Sequence, residues 1–242
     1  MKGKQWIGWL CIAAATGCFI LAATWELSNR KHTEQMEQIR ETYTETKETE
    51  DPWLTRRIDF DGLKKIKPDI VAWLTIPGTP VDHPVLKNPY DDHYLYRDYT
   101  GQYSYAGSVF IRQAVPEDFS GEHTILYGHN MRDGQMFGFL ENYRDVGCFQ
   151  SHPYIYVYLP GRETALKWQV YSAYECPDAT ITYRTVFENE EDYQGWLDMT
   201  LRLGNSAAAL DPDDRVLTLS TCTASGGARF VVHSVLKNPE TT

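Results

Sequence analysis

Thr218-Leu-Ser-Thr-Cys-Thr-Ala-Ser-Gly-Gly-Ala-Arg-Phe-Val-Val-His233 reads as a β-hairpin. An apolar run ends at Cys222, a Gly-rich turn follows at Gly226-Gly227, and a second run starts at Arg229. In an antiparallel hairpin the end of one strand lies beside the start of the next, with facing Cβ atoms about 4.5–5.5 Å apart. A thiol and a guanidinium thus become neighbours at a strand end. A lone Cys is ordinarily a small buried hydrophobe. Cys222 differs by ending its strand among Ser220, Thr221 and Thr223, a polar setting that suits a site more than a core.

Outward from the hairpin, the chain from Asp69 onward consists of short β runs broken by turns. Strands are expected at 70–76, 81–86, 107–111, 123–127, 154–159, 165–174, 215–220 and 229–236, with turns at Pro77-Gly78, Asn88-Pro89 and Pro160-Gly161. Helices are expected at 135–143, 190–203 and within 53–66, the last ended by Pro68. Eight short strands in about 170 residues predict a mostly β domain folded as a small closed or nearly closed barrel with short helices.

The N-terminus has a different character. Trp6 to Trp25 holds 20 residues without a charge. As a helix it would span about 30 Å, the thickness of a bilayer's hydrocarbon. The run is too long for the apolar part of a cleaved signal peptide, and Ala22-Ala23-Thr24 is a poor cleavage site. Residues 1–27 therefore read as a cytoplasmic tail and transmembrane signal anchor. Residues 28–52, polar and rich in Glu and Thr, read as a solvated helix or flexible stalk, and 53–242 as the folded domain that it carries. This predicts a single-pass membrane protein whose folded domain faces outward. The net charge of −10, with no basic block, argues against nucleic-acid binding. Outside the anchor only Cys148, Cys176 and Cys222 remain, so a disulfide scaffold is excluded and an odd thiol is left over.

A nucleophilic thiol needs a neighbouring base or cation. Of seven His, His129 stands out in Ile125-Leu-Tyr-Gly-His-Asn-Met131, at the end of an expected strand. His83, His93 and His152 are read as loop residues, and His233 as a strand residue that packs or points outward. No H-E-x-x-H, C-x-x-C or EF-hand spacing is present, so neither a metal nor a cofactor is expected.

Together these residues resemble the sortases. Thr218-Leu219-Ser220-Thr221-Cys222 matches TLxTC at every fixed position, an Arg begins the next strand, and a His ends a strand upstream. Leu126-Tyr-Gly-His-Asn-Met131, Arg229-Phe-Val-Val-His233 and the helical insertion at 186–203 are similar to class B. The resemblance spans roughly residues 53–237 and implies an eight-stranded sortase-type barrel on a membrane anchor. It also implies a transpeptidase with catalytic Cys222, His129 and Arg229. Such an enzyme would cleave an NPxTN-like sorting motif of a secreted protein after its Thr. It would pass the acyl group to an amine of a cell-wall peptide or of a pilin.

By approximate placement, the resemblance also implies substrate contacts at Leu95, Tyr127, Tyr183, Ser220 and Thr221; for Leu95 and Tyr127, plain core packing is the competing reading. Some class B members carry an Asp shortly after the Cys, where Thr223, Ala224 and Ser225 stand here. No Cys–His–Asp triad is therefore expected, and His129 is left to a backbone carbonyl or Asn130. Asn238-Pro-Glu-Thr-Thr242 looks like the start of a sorting motif, but the hydrophobic segment and charged tail of a full signal do not follow it, and coincidence is the simpler reading. The main alternative activity is a secreted cysteine protease or amidase that uses the same Cys–His pair with water.

Overall fold

The computed structural model describes residues 2–90, 92–177, 181–222 and 227–237, with side chains throughout except at 2–8, 10 and 222. The chain divides into two compact units, residues 1–39 and 40–242. The first is a single helix, α1 (Lys2–Tyr43), which runs on for four residues into the second unit. Its most apolar window has a mean hydropathy of 1.5, and by length and composition the helix can cross a bilayer. The polar stretch after the apolar run is helical as far as Tyr43.

In the second unit, strands β1 (Thr44–Glu45) and β2 (Arg57–Ile58) form a small antiparallel pair. Helix α2 (Phe60–Ile66) follows. The helix expected within 53–66 is thus shorter, because Asp59 caps it from outside: its carboxylate accepts the Gly62 N–H at 2.9 Å. Residues 57–58 upstream are drawn into the β1 pairing instead.

Eight further strands close a barrel. They are β3 (Ile70–Thr75), β4 (Asp82–Lys87), β5 (Val109–Ile111), β6 (His123–Tyr127), β7 (Tyr154–Tyr158), β8 (Leu166–Cys176), β9 (Val216–Cys222) and β10 (Arg229–Leu236). The order around the barrel is β10-β8-β7-β3-β4-β5-β6-β9, closing back on β10. All eight expected strands are present, β6 and β10 with the expected bounds and the others with ends shifted by at most two residues. His83 lies in β4 and is buried, not in a loop, because the β run continues through Pro84. The interior is filled from alternate positions, Leu217 and Leu219 of β9 and Phe230 and Val232 of β10 among them, against Leu74, Leu126, Ile155 and Trp168.

Six of the eight pairings are antiparallel; β4/β5 and β6/β9 are parallel. The second parallel pair positions the site. β6 and β9 run side by side with Tyr127 opposite Ser220, so both strands end at the same rim. β10 starts from that rim at Arg229, which pairs with Cys222 on β9 and with Cys176 on β8.

The helix expected at 135–143 is broken. Met136 has φ of 51°, and Gly138 packs so closely that a Cβ there would lie 2.1 Å from the Met131 carbonyl. A 3₁₀ turn (Gly138–Arg144) and then α3 (Val146–Ser151) replace it. Helix α4 (Glu190–Leu203) forms as expected. Asn189 caps its start, and Tyr193, Trp196, Leu197 and Thr200 make one buried face. That face packs on Tyr171, Val216 and Val235, the outer side of β8, β9 and β10.

A buried ion pair joins the segment around β2 to the barrel. The Asp82 carboxylate accepts two bonds from Arg56 (2.9 and 3.0 Å), one from Trp73 Nε1 (2.6 Å) and one from Thr75 (2.7 Å). Burial works against its charge, but the Arg56 guanidinium and the two neutral donors outweigh it and hold the carboxyl below its ordinary range. Asp82→Ala leaves the Arg56 cation buried without its partner. It is expected to lower stability by about 3–5 kcal/mol in urea unfolding, with Asp82→Asn intermediate.

Candidate active site

The rim where β6, β9 and β10 meet carries the candidate residues. His129 stands two residues past the end of β6. Gly128 before it donates its N–H to the Ser220 carbonyl at 3.2 Å, which continues the β6/β9 pairing by one step. The Phe137 ring lies against Gly128, where a Cβ would sit 2.8 Å from the ring. The chain can bring His129 to the rim only without a side chain at 128.

The half-buried imidazole is held through Nε2, 2.6 Å from the Leu95 carbonyl oxygen. A carbonyl only accepts, so Nε2 carries a proton and Nδ1 is the nitrogen left to titrate. Gly107, with φ of 60°, lets the chain fold tightly under Leu95: a Cβ there would lie 2.4 Å from the same carbonyl oxygen. Of the two partners left open for His129, the backbone carbonyl is the one found; the Asn130 amide donates to Glu141 instead, at 2.8 Å. Tyr96 and Tyr105 flank the imidazole, with ring centroids 5.4 and 6.3 Å away, the Tyr105 ring within 10° of parallel. Burial pushes the His129 pKa down and the positive charge of Arg229 pushes it the same way, while the bond to Leu95 partly opposes both.

Cys222 ends β9 opposite Arg229. Its side chain lies outside the described residues, as do residues 223–225 and the 238–242 run. Beside this pair is an aromatic wall. Tyr183 shares a hydrogen bond with Ser220 (2.8 Å) and stacks on Tyr127 (6.3 Å, 12°). Tyr127 in turn stacks on Phe110 (5.5 Å), and the Arg112 guanidinium lies 4.8 Å from its centroid. Tyr127, Tyr183 and Ser220 are thus brought together. Leu95 reaches the site through its carbonyl. Thr221 falls on the alternate face of β9 from Ser220 and is buried, its hydroxyl without a partner among the described residues. Tyr96, Tyr105 and Arg112 are the neighbours that the sequence reading missed. For Tyr96 and Tyr105 the signal was the density of Tyr between residues 90 and 105; Arg112 had none.

A model of the sortase domain matches residues 74–237. Sortase B of Listeria monocytogenes is 30% identical over 229 residues, covering 92% of both chains. Sortase B of Staphylococcus aureus is 36% identical over 174 residues, 69% of this chain and 68% of that protein.

The chain belongs to the class B sortases.

Solved structures agree with this. Sortase B from B. anthracis in complex with AAEK1 superposes with a TM-score of 0.73 at 30% identity, covering 87% of this chain and 97% of that one. The Staphylococcus aureus sortase B–substrate complex gives 0.71 at 30% identity, covering 88% and 97%. As a sortase, the protein is a cysteine transpeptidase acting on sorting-motif substrates. The eight-stranded barrel and the apolar N-terminal helix are those expected from the sequence.

Proposed function

We propose that this sortase cleaves an NPxTN-like motif after its Thr, with Cys222 as nucleophile, His129 as acid and base, and Arg229 as the cation at the oxyanion. The Cys222 thiolate adds to the Thr carbonyl. His129, as imidazolium, gives its Nδ1 proton to the leaving amine, and a thioacyl enzyme remains. Neutral His129 then takes a proton from the incoming amine as that nitrogen displaces the thiolate, and the peptide bond is remade to a new partner. Arg229 cannot serve as a base, because its pKa is too high; its fixed charge and planar donors suit the developing oxyanion and favour the thiolate.

The observation that carries this reading is the rim itself. Arg229 pairs in register with Cys222, and its charge reaches the imidazole of His129, which Leu95 holds with Nδ1 open. The Tyr127–Tyr183–Ser220 cluster beside them supplies a wall for the motif, and Leu95 and Thr221 are further contacts implied by the resemblance. The amine belongs to a cell-wall precursor peptide or to a pilin. Residues 6–25 hold the enzyme in the membrane in a single pass, with the catalytic unit outside the cell, a placement that the length and apolar character of α1 support.

Incubating the enzyme with a library of sorting-motif peptides, with and without short amines, and weighing the products tests the reading. Amine-linked NPxT products support it; products carrying only water would favour a protease. Arg229→Lys keeps the charge but loses the fork of donors, and kcat/KM is expected to fall about 10²-fold or more. A value near wild type would remove Arg229 from the mechanism.

A further inference from the structure

Behind the aromatic wall lies a chain of hydrogen bonds that the reaction does not use. His123 Nδ1 is 2.5 Å from the Arg184 carbonyl, and its Nε2 is 2.7 Å from Thr218 Oγ1. Thr218 Oγ1 is 2.6 Å from His233 Nδ1, and His233 Nε2 is 3.0 Å from the Tyr174 hydroxyl. Tyr174 is 3.3 Å from Thr182 Oγ1. His123, Thr218, His233 and Thr182 are each at most 2% exposed.

The direction of every bond follows from one terminus. The Arg184 carbonyl can only accept, so His123 Nδ1 carries a proton. Burial pushes the His123 pKa down to about 4 and that of His233 well below the ordinary value, so both rings are neutral at pH 7. His123 Nε2 must then accept from the Thr218 hydroxyl. With that proton committed, Thr218 Oγ1 accepts from His233 Nδ1, and His233 Nε2 accepts from Tyr174. The Tyr174 oxygen accepts from Thr182. No polar hydrogen is left over, and no alternative direction satisfies the carbonyl.

The two ends of this relay, Thr182 and Arg184, flank Tyr183, and its centre, Thr218, stands two residues before Ser220 on the same face of β9. We propose that His123 and His233 are positioning residues: through Thr218 they clamp segment 182–184 to β6, β8, β9 and β10 and so hold Tyr183 on Ser220 at the substrate groove. This rests on the reading that Tyr127 and Tyr183 line the groove.

Acid breaks the clamp. A proton on His123 Nε2 turns an acceptor into a donor and leaves the Thr218 hydroxyl facing two donors, whereas a proton on His233 Nε2 is met by reversing the Tyr174 hydroxyl toward Thr182. The titratable groups facing the pair are the two rings themselves (6.3 Å apart) and Tyr171 and Tyr174 from β8. Trp196 of α4 covers both. Because the folded pKa values lie below that of a free His, the clamp is at full strength above about pH 6.5 and is lost as pH falls toward 4.

The test uses the full chain in detergent, with two readouts. Thr218→Val replaces the central hydroxyl by a methyl of similar size, Thr218→Ser keeps the hydroxyl, and Tyr174→Phe removes the bond to His233 together with the one from Thr182. Amide-exchange protection of 181–187 is expected to fall at least tenfold in Thr218→Val, less in Tyr174→Phe, and little in Thr218→Ser. Protection in the wild type should fall between pH 7 and pH 5. The KM for an NPxTN peptide should rise at least fivefold in Thr218→Val, with kcat within twofold, and Thr218→Ser should restore it.

Unchanged protection in both Thr218→Val and Tyr174→Phe would overturn the clamp. Lost protection with unchanged KM would reduce it to a structural feature and overturn the positioning role. If Thr218→Val does not fold, Tyr174→Phe and the wild-type pH comparison decide. If the wild type cleaves no NPxTN peptide, the functional reading fails, while the exchange arm still tests the clamp.

Discussion

Cys222→Ala is expected to lower kcat/KM for peptide cleavage and for transfer by about 10⁴-fold or more, leaving the barrel folded. The size follows from the chemistry. Without a thiolate there is no thioacyl intermediate, and the remaining donors at the rim cannot split amide cleavage into two easier steps. The fold should survive because Cys222 is the last residue of β9, and the strand is held by its ladders to β6 and β10, which involve backbone groups. Mass spectrometry separates the possibilities. Wild type trapped with substrate should gain the mass of the acyl fragment, and Cys222→Ala should gain none. Turnover within tenfold of wild type in the Ala variant would remove Cys222 from the mechanism.

His129→Gln should cost about 10²–10⁴-fold in kcat/KM, the range that general acid–base groups contribute. Gln is the informative replacement because its amide can still donate to the Leu95 carbonyl, so the loss reports the missing titrating nitrogen and not a collapsed loop. The wild-type kcat/KM should be bell-shaped with pH, since the reacting form holds one proton on the Cys–His pair, and the limbs belong to the pair. Burial, aided by the charge of Arg229, presses the imidazole below its ordinary value. The acid limb is therefore expected below about pH 6.5. A consequence is that the imidazolium is scarce at neutral pH and turnover is slow. His129→Gln should lose one limb of the bell. A flat wild-type profile from pH 5 to 10 would count against the pair.

Much of this was legible in the sequence because it depends on local pattern. Short β runs bounded by turn residues marked the eight strands, since Pro, Gly and Asn break a strand locally. The uncharged run from Trp6 marked the long apolar helix, since length and hydropathy alone set that reading. The TLSTC-to-Arg hairpin brought position 222 next to 229, since a short antiparallel connection leaves little freedom of register.

What the tertiary structure decided involves groups far apart in the chain. The Leu95 carbonyl on His129 spans 34 residues and needs the tight passage at Gly107, which no periodicity signals. The break at Met136 and Gly138 came from close packing on Met131, overriding a helical pattern. The local pattern around His233 says only that it packs or points outward, and that around His123 names no partner. The β9–β10 hairpin sets His233 opposite Thr218, but only the parallel pairing of β6 with β9, across some 90 residues, brings His123 to the same hydroxyl. Local sequence can state which face a residue takes; the partner on that face is set by strand order, and strand order is the product of the whole barrel closing.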